Sequence, residues 1–300
     1  MTILMRQQMI EMLDDLFKND ERLALVLADI SRALFDNILE RYPERAFNLG
    51  IMEQTMIGVA AGLALEGFIP VVHSIVPFLV ERPFEQLKDD FCYQRLGGNF
   101  IGTGASYDYS TEGMTHHGPG DVQVLRSLPG MQIVVPGTAN EFDTLFRAAY
   151  ANGAPTYYRM SSKNNSVEQP VRFGKLEVMK RGGQATVIAV GPALNAVLPA
   201  VDGLDVSVLY CTTVAPFDAE TLREVCQGND IVLVEPYYEG VLVPDICAAM
   251  EHRPIRVKAI GVPHEVLSHY GTTEQHDDAI GFNAQAIRQR IKQFLGNEQT

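Results

Sequence analysis

The chain has 300 residues, 46% of them hydrophobic and 20% charged, the composition of a globular protein of about two ordinary domains. Its formal net charge of −13 and pI near 5.0 exclude the basic face that a nucleic-acid partner requires. No apolar run reaches the roughly 18 residues of a membrane span, and the amphipathic, acid-bearing N-terminus is not a signal peptide, so a cytoplasmic protein is expected. Cys92, Cys211, Cys226 and Cys247 are scattered without a CxxC pair, which predicts reduced thiols and neither a metal site nor a disulfide framework.

Taken in order, Met9, Leu13, Leu16 and Phe17 form one face of a first helix, and a strand over 23–28 runs up to Asp29. Beyond an irregular link comes Phe47-Asn48-Leu49-Gly50-Ile51-Met52-Glu53-Gln54. Here Met52, Met56, Val59, Ala60 and Leu63 recur at helical spacing, and a largely buried helix ending near Glu66-Gly67 is expected. Glu53 falls in its first turn. An acid in apolar surroundings must be paired, hydrogen-bonded or protonated, which makes it a candidate functional group. Equally, it can simply sit favourably at the positive end of the helix.

A strand over 69–73 and a helix over 84–96 follow, then a strand over 99–103 that leads into an unusual loop, 102–121. This loop holds Glu112, the adjacent pair His116 and His117, hydroxyls and several glycines. It is far longer than the usual connection of about 2–6 residues, which favours function, with the histidines as donors to a ligand hydroxyl or as proton shuttles; the alternative is a surface loop with incidental histidines. A short helix over 121–128, a strand over 131–135, a helix opened by the capping box Thr138-Ala-Asn-Glu141 and a strand over 156–160 complete the first half.

Polar residues 161–172 read as a linker, giving domains over 1–165 and 166–300. The second half repeats the alternation: strands over 185–190, 206–210, 231–235 and 255–260, helices near 192–201, 218–227, 240–251 and 284–296. Strands alternating with helices and lacking hairpin signals predict an α/β protein of two doubly wound, mainly parallel-sheet domains. Ligands on such sheets bind beyond the carboxyl ends of strands, where Asp29, the stretch from His73 to Phe78, the loop from Thr103 to Asp121 and Arg159 all fall. Arg6, Arg82 and Arg159 can each hold an anion or form an ordinary salt bridge. No GxxxxGK[ST] loop, GxSxG elbow or complete dinucleotide fingerprint is present.

Ala28-Asp29, the Asn48 to Gln54 block, Phe78, Thr111-Glu-Gly-Met-Thr-His116 and Tyr158-Arg159 resemble, in order and spacing, the pyrimidine-binding domain of transketolases. Glu235-Pro236 and Tyr270-Gly271 resemble the C-terminal domain of the same family. The resemblance implies thiamine diphosphate with Mg2+. It makes Glu53 the acid that bonds N1′ of the aminopyrimidine and drives the imino tautomer that deprotonates the thiazolium C2. Phe78 becomes the ring that stacks on the pyrimidine and Asp29 a further cofactor contact. His116, Glu112, Arg6, Arg159 and His117 become contacts to a sugar substrate or its phosphate.

The chain departs from the family pattern at Ala33, where a phosphate-binding serine is usual, at Gly104, where a loop histidine is usual, and at Glu112, usually aspartate. The GDG…N signature that holds the diphosphate and metal is missing. The resemblance therefore implies a split enzyme: a C-terminal subunit that works with an N-terminal subunit bearing that motif, in an α2β2 assembly. The expected reaction is transfer of a two-carbon ketol unit between sugars. A deoxyxylulose-phosphate-synthase-like or 2-oxoacid dehydrogenase E1-β-like subunit, or a non-catalytic paralogue, stands as the alternative.

Overall fold

A computed structural model describes residues 4–296. The first sheet is assembled from β1 (Leu23–Leu27), β2 (Ala46–Asn48), β3 (Ile69–Ile75), β4 (Gly98–Thr103), β5 (Gln132–Val134) and β6 (Pro155–Arg159). The second uses β7 (Leu176–Lys180), β8 (Ala185–Val190), β9 (Val206–Cys211), β11 (Asp230–Tyr238) and β12 (Arg256–Val262). One strand crosses over: β10 (Thr213–Ala215) leaves the second domain and joins the first sheet, whose order becomes β10-β5-β6-β4-β3-β1-β2. The second sheet runs β12-β11-β8-β9-β7. All pairings are parallel except those of β10 with β5 and β7 with β9.

The central strands carry apolar residues on both faces because helices cover both. β1 (Leu-Ala-Leu-Val-Leu) is buried at every position, as is β8. Helix Met5–Asn19 turns Met5, Met9, Leu13, Leu16 and Phe17 inward and packs with helix Ala139–Ala149 on one face of the first sheet. Thr138 caps the latter, its Oγ1 accepting from the Glu141 amide, but the expected capping box is only half made: the Glu141 carboxylate accepts from the Gly137 and Gln169 amides instead. Arg45 is drawn under the first helix, where its guanidinium bonds the carbonyls of Phe17, Asp20 and Leu23.

Three local expectations need correction. The helix predicted over 84–96 is one short turn, Phe84–Gln86, running into a π-helical stretch, Leu87–Tyr93; i→i+5 hydrogen bonding is invisible to apolar periodicity. The short strands β2, β7 and β10 were not foreseen. The helix Glu53–Leu65 is not buried all round: Glu53, Met56, Ile57, Ala60 and Ala61 face inward, whereas Met52 and Leu65 are exposed. Its exposed side is made of Gln54, Thr55, Gly58 and Gly62.

Candidate functional site

The site lies beyond the carboxyl ends of β1, β3 and β4, three neighbours in the sheet. At the end of β1 the backbone turns sharply: Asp29 (φ 69°) and Ser31 (φ 64°) both take the left-handed conformation, unusual for residues with a side chain. Asn48, at the end of β2, holds the turn, its Oδ1 accepting from the Asp29 amide at 2.8 Å. The exposed Asp29 carboxylate is thereby presented at the sheet edge.

Glu53 begins its helix with only 5% of its surface exposed, so the acid is buried where the sequence places it. Its Oε1 accepts from Arg82 Nη1 at 2.9 Å. The Arg82 guanidinium also lies 3.8 Å from the centroid of the Phe78 ring. Phe78 sits in the short helix Val76–Val80 at the end of β3, and its ring meets that of His116 edge-on, centroids 5.2 Å apart. Tyr109 approaches His116 at 6.3 Å, and Thr115 Oγ1 lies 2.9 Å from His116 Nδ1. Glu53, Arg82, Phe78 and His116 thus form one continuous row contributed by three separate segments. An open pocket of about 340 Å³, lined by Ile51 to Thr55 and Arg82, gives on to its acidic end.

Arg6 reaches the same edge from the first helix. Its Nη2 donates to Ser31 Oγ at 2.7 Å, and Ser31 Oγ lies 2.9 Å from His73 Nε2. His73 Nδ1 lies 2.8 Å from the Ile101 carbonyl, an acceptor only, so Nδ1 carries the proton and Nε2 accepts from Ser31. Burial pulls the His73 pKa down to about 4, with the Arg6 charge adding to the depression. Ser31 was not singled out in the sequence, and His73 was placed only at a strand end, without a role. Their signal was faint: a hydroxyl two residues past Asp29, and one histidine in an apolar strand.

The remaining candidates are placed as follows. Glu112 is exposed on the loop, its amide bonded to the Tyr109 carbonyl at 3.0 Å, beside Gly113, on which the Tyr270 ring rests. His117 points away from its neighbour. It is buried against His276 at 5.7 Å, and burial, then the charge of His276, lowers its pKa. Arg159 is 1% exposed, with Nε on Asp121 Oδ2 and Nη2 on Ser106 Oγ, both at 2.7 Å. His117 thus lies buried with neither ring nitrogen hydrogen-bonded among the described residues, and Arg159 is bonded to Asp121 and Ser106; both sit where the two halves of the chain meet. The Gly104 position is closed to a side chain, because Tyr109 fills the space a Cβ would need. Among the described residues no group of three or more His, Cys, Asp or Glu side chains converges as a metal site.

A buried acid and an aromatic ring, bridged by Arg82, stand at the carboxyl edge of a doubly wound sheet, the place where such folds bind their ligands. Residues 1–167 match the transketolase pyrimidine-binding domain and residues 174–287 the transketolase C-terminal domain. The chain belongs to the transketolase family. It is 40% identical over 283 residues to an uncharacterized 33.6 kDa protein in the fasciation locus of Rhodococcoides fascians, covering 93% of this chain and 91% of the relative. It is 29% identical over 270 residues to one of the subunits of the apulose-4-phosphate transketolase of Actinobacillus succinogenes, covering 85% of this chain and 86% of that subunit. Among solved structures, a split-gene transketolase in an inactive beta4 tetramer superposes with a TM-score of 0.85 at 25% identity, over the whole of both chains.

Proposed function

We propose that this chain is the pyrimidine-side subunit of a two-chain, thiamine diphosphate-dependent transketolase. In this reading a separate N-terminal subunit bears the GDG motif and holds the diphosphate and Mg2+, in an α2β2 assembly. The row of Glu53, Phe78 and His116 carries the proposal. When bound, the cofactor supplies a thiazolium carbon able to take up and pass on a two-carbon ketol unit. This chain's residues do the rest. Phe78 offers its face to the pyrimidine, and Glu53, buried at the start of its helix, presents Oε1 to the ring nitrogen. His116, edge-on to Phe78, donates to a hydroxyl of the donor sugar, with Glu112 and Asp29 on the rim. Arg6 stands as the cation of the substrate side, held through Ser31.

The partner surface in this reading includes the bare side of the Glu53 helix. Ile51 (71% exposed), Met52 and Leu65 stand in solvent there. Tyr93 is also exposed, on the π-helical stretch packed against that helix. A large apolar exposure of this kind marks an interaction surface.

The test is reconstitution. The purified chain alone should show no ketol transfer; mixed with a GDG-bearing subunit, thiamine diphosphate and Mg2+, it should cleave a ketose donor. In that complex Glu53→Gln should reduce turnover by several orders of magnitude, on the scale of losing a core catalytic group. Near-normal turnover by Glu53→Gln, or transfer by the single chain, would overturn the reading. Pyruvate decarboxylation in place of ketose cleavage would move the complex to the deoxyxylulose-phosphate-synthase-like alternative.

A further inference from the structure

Arg82 does two things at once in this chain. It donates to Glu53 at 2.9 Å and lies over the face of Phe78 at 3.8 Å from the ring centroid. A flat group with N–H donors, sandwiched between a buried carboxylate and an aromatic face, has the recognition chemistry of an aminopyrimidine. The guanidinium and such a ring would stack on the same surface of Phe78 and bond the same oxygen, so they exclude each other. Arg82 is also built to move: it sits in the three-residue turn between helices Val76–Val80 and Phe84–Gln86, and 48% of its side chain is exposed while that of Glu53 is 6% exposed. The pocket beside it opens to solvent along Ile51 to Thr55.

We propose that Arg82 is a latch that occupies the pyrimidine seat of the free subunit, closing Glu53 and Phe78 to ligand until an entering ring displaces it. The inference rests on the assignment of Glu53 and Phe78 to the cofactor's pyrimidine. The closed state can be opened by an entering donor because the Arg82 side of the pair stands half in solvent, where salt screens it. It nevertheless keeps the buried carboxylate partnered in the absence of cofactor, which a lone acid in that pocket requires. Thiamine diphosphate held by the partner subunit would thus meet a site that opens only as its ring arrives, and the latch sets a threshold against stray flat cations.

The experiment uses the purified full chain and two probes without the diphosphate: thiamine, and 4-amino-5-hydroxymethyl-2-methylpyrimidine. Binding is measured by calorimetry or by NMR titration on the wild type, Arg82→Ala, Glu53→Gln and the Arg82→Ala/Glu53→Gln pair, with thermal melts confirming that each is folded. Arg82→Ala should bind the pyrimidine about 10-fold more tightly than wild type, the gain should shrink as salt weakens the wild-type latch, and adding Glu53→Gln should abolish it. If Arg82→Ala binds equally or more weakly while Glu53→Gln still impairs binding, the latch is wrong and the pyrimidine site stands. If no variant binds either probe, or binding ignores Glu53, the assignment of Glu53 fails and takes the latch with it.

Discussion

Arg159 and Asp121 meet at 2.7 Å with both side chains out of water, beneath the end of β11 from the second domain. The Tyr157 hydroxyl donates to the same Asp121 oxygen at 2.7 Å, Ser106 joins Arg159 to the Pro236 carbonyl, and the Arg159 guanidinium lies 5.4 Å from the Tyr237 ring centroid. This pair therefore fastens the 105–121 loop to the second domain. Removing one partner of a buried pair strands the other's charge, which costs about 3–5 kcal/mol. Asp121→Ala should lose that much in urea-unfolding experiments. The double apolar replacement Asp121→Leu/Arg159→Met should recover a large part of it, since no charge is then left buried without a partner. Equal stability of Asp121→Ala and wild type would contradict the assignment.

His73 gives the chain a pH dependence of definite sign. Burial holds its folded pKa at about 4, below the ordinary 6.5, so the unfolded chain takes up the proton first. Stability from this group is complete above about pH 6.5, falls as pH drops through the window from 6.5 to 4, and is flat below it. The whole effect is about 3 kcal/mol, from roughly 1.4 kcal/mol per unit. Urea unfolding at steps between pH 7.5 and 4 should show this slope on top of the carboxylates' own contribution. A His73→Leu variant, whatever its absolute stability, should show a slope smaller by up to one proton.

How far the sequence could be read differs between elements for physical reasons. Strands such as Leu23–Leu27 and Ala185–Val190 were legible because a sheet covered on both faces demands unbroken apolar runs. The burial of Glu53 was legible because an acid in an apolar helix is conspicuous, whereas a stacking role for Phe78 entered only through the family resemblance. The orientation of His117 was not, since two adjacent loop histidines differ only in which way the backbone turns between them. The fate of Arg159 depended on Asp121, 38 residues away, and on the second domain closing over both. The strand β10 was missed because a three-residue segment carries too little pattern, and its partner β5 belongs to the other half of the chain.

Gly104 separates two costs that are usually mixed. Its φ is +78°, and an added Cβ would stand 2.2 Å from the Tyr109 ring. Gly104→Ala should therefore destabilise by about 2–4 kcal/mol, part from the left-handed backbone and part from the displaced ring. In the pair Gly104→Ala/Tyr109→Gly the ring contribution disappears, so of the Gly104 substitution's own cost only the backbone part, about 1 kcal/mol, should remain relative to Tyr109→Gly alone. Thermal melts of the four proteins test this as a cycle; additive losses would mean that Tyr109 can swing clear without cost.

The crossover of β10 predicts that the two domains unfold together. Thr213 pairs with Val134 in the first sheet, and the Val135 amide donates to the Thr212 carbonyl at 2.8 Å. A few residues away the Tyr210 hydroxyl donates to Glu141 Oε2 at 2.6 Å, and Asn165 bonds both Tyr210 and the Gly191 carbonyl. These links tie strand, helix and connecting segment of different halves into one set, so neither half can open without breaking the other's hydrogen bonds. Denaturation followed by tyrosine fluorescence and by far-ultraviolet circular dichroism should give coincident single transitions. A fragment of residues 1–165 would lack β10 and leave the β5 edge of the sheet bare, and an unpaired edge invites association between copies. On size exclusion it should run as aggregate or expanded chain, and a well-behaved folded monomer would show that the crossover strand is dispensable.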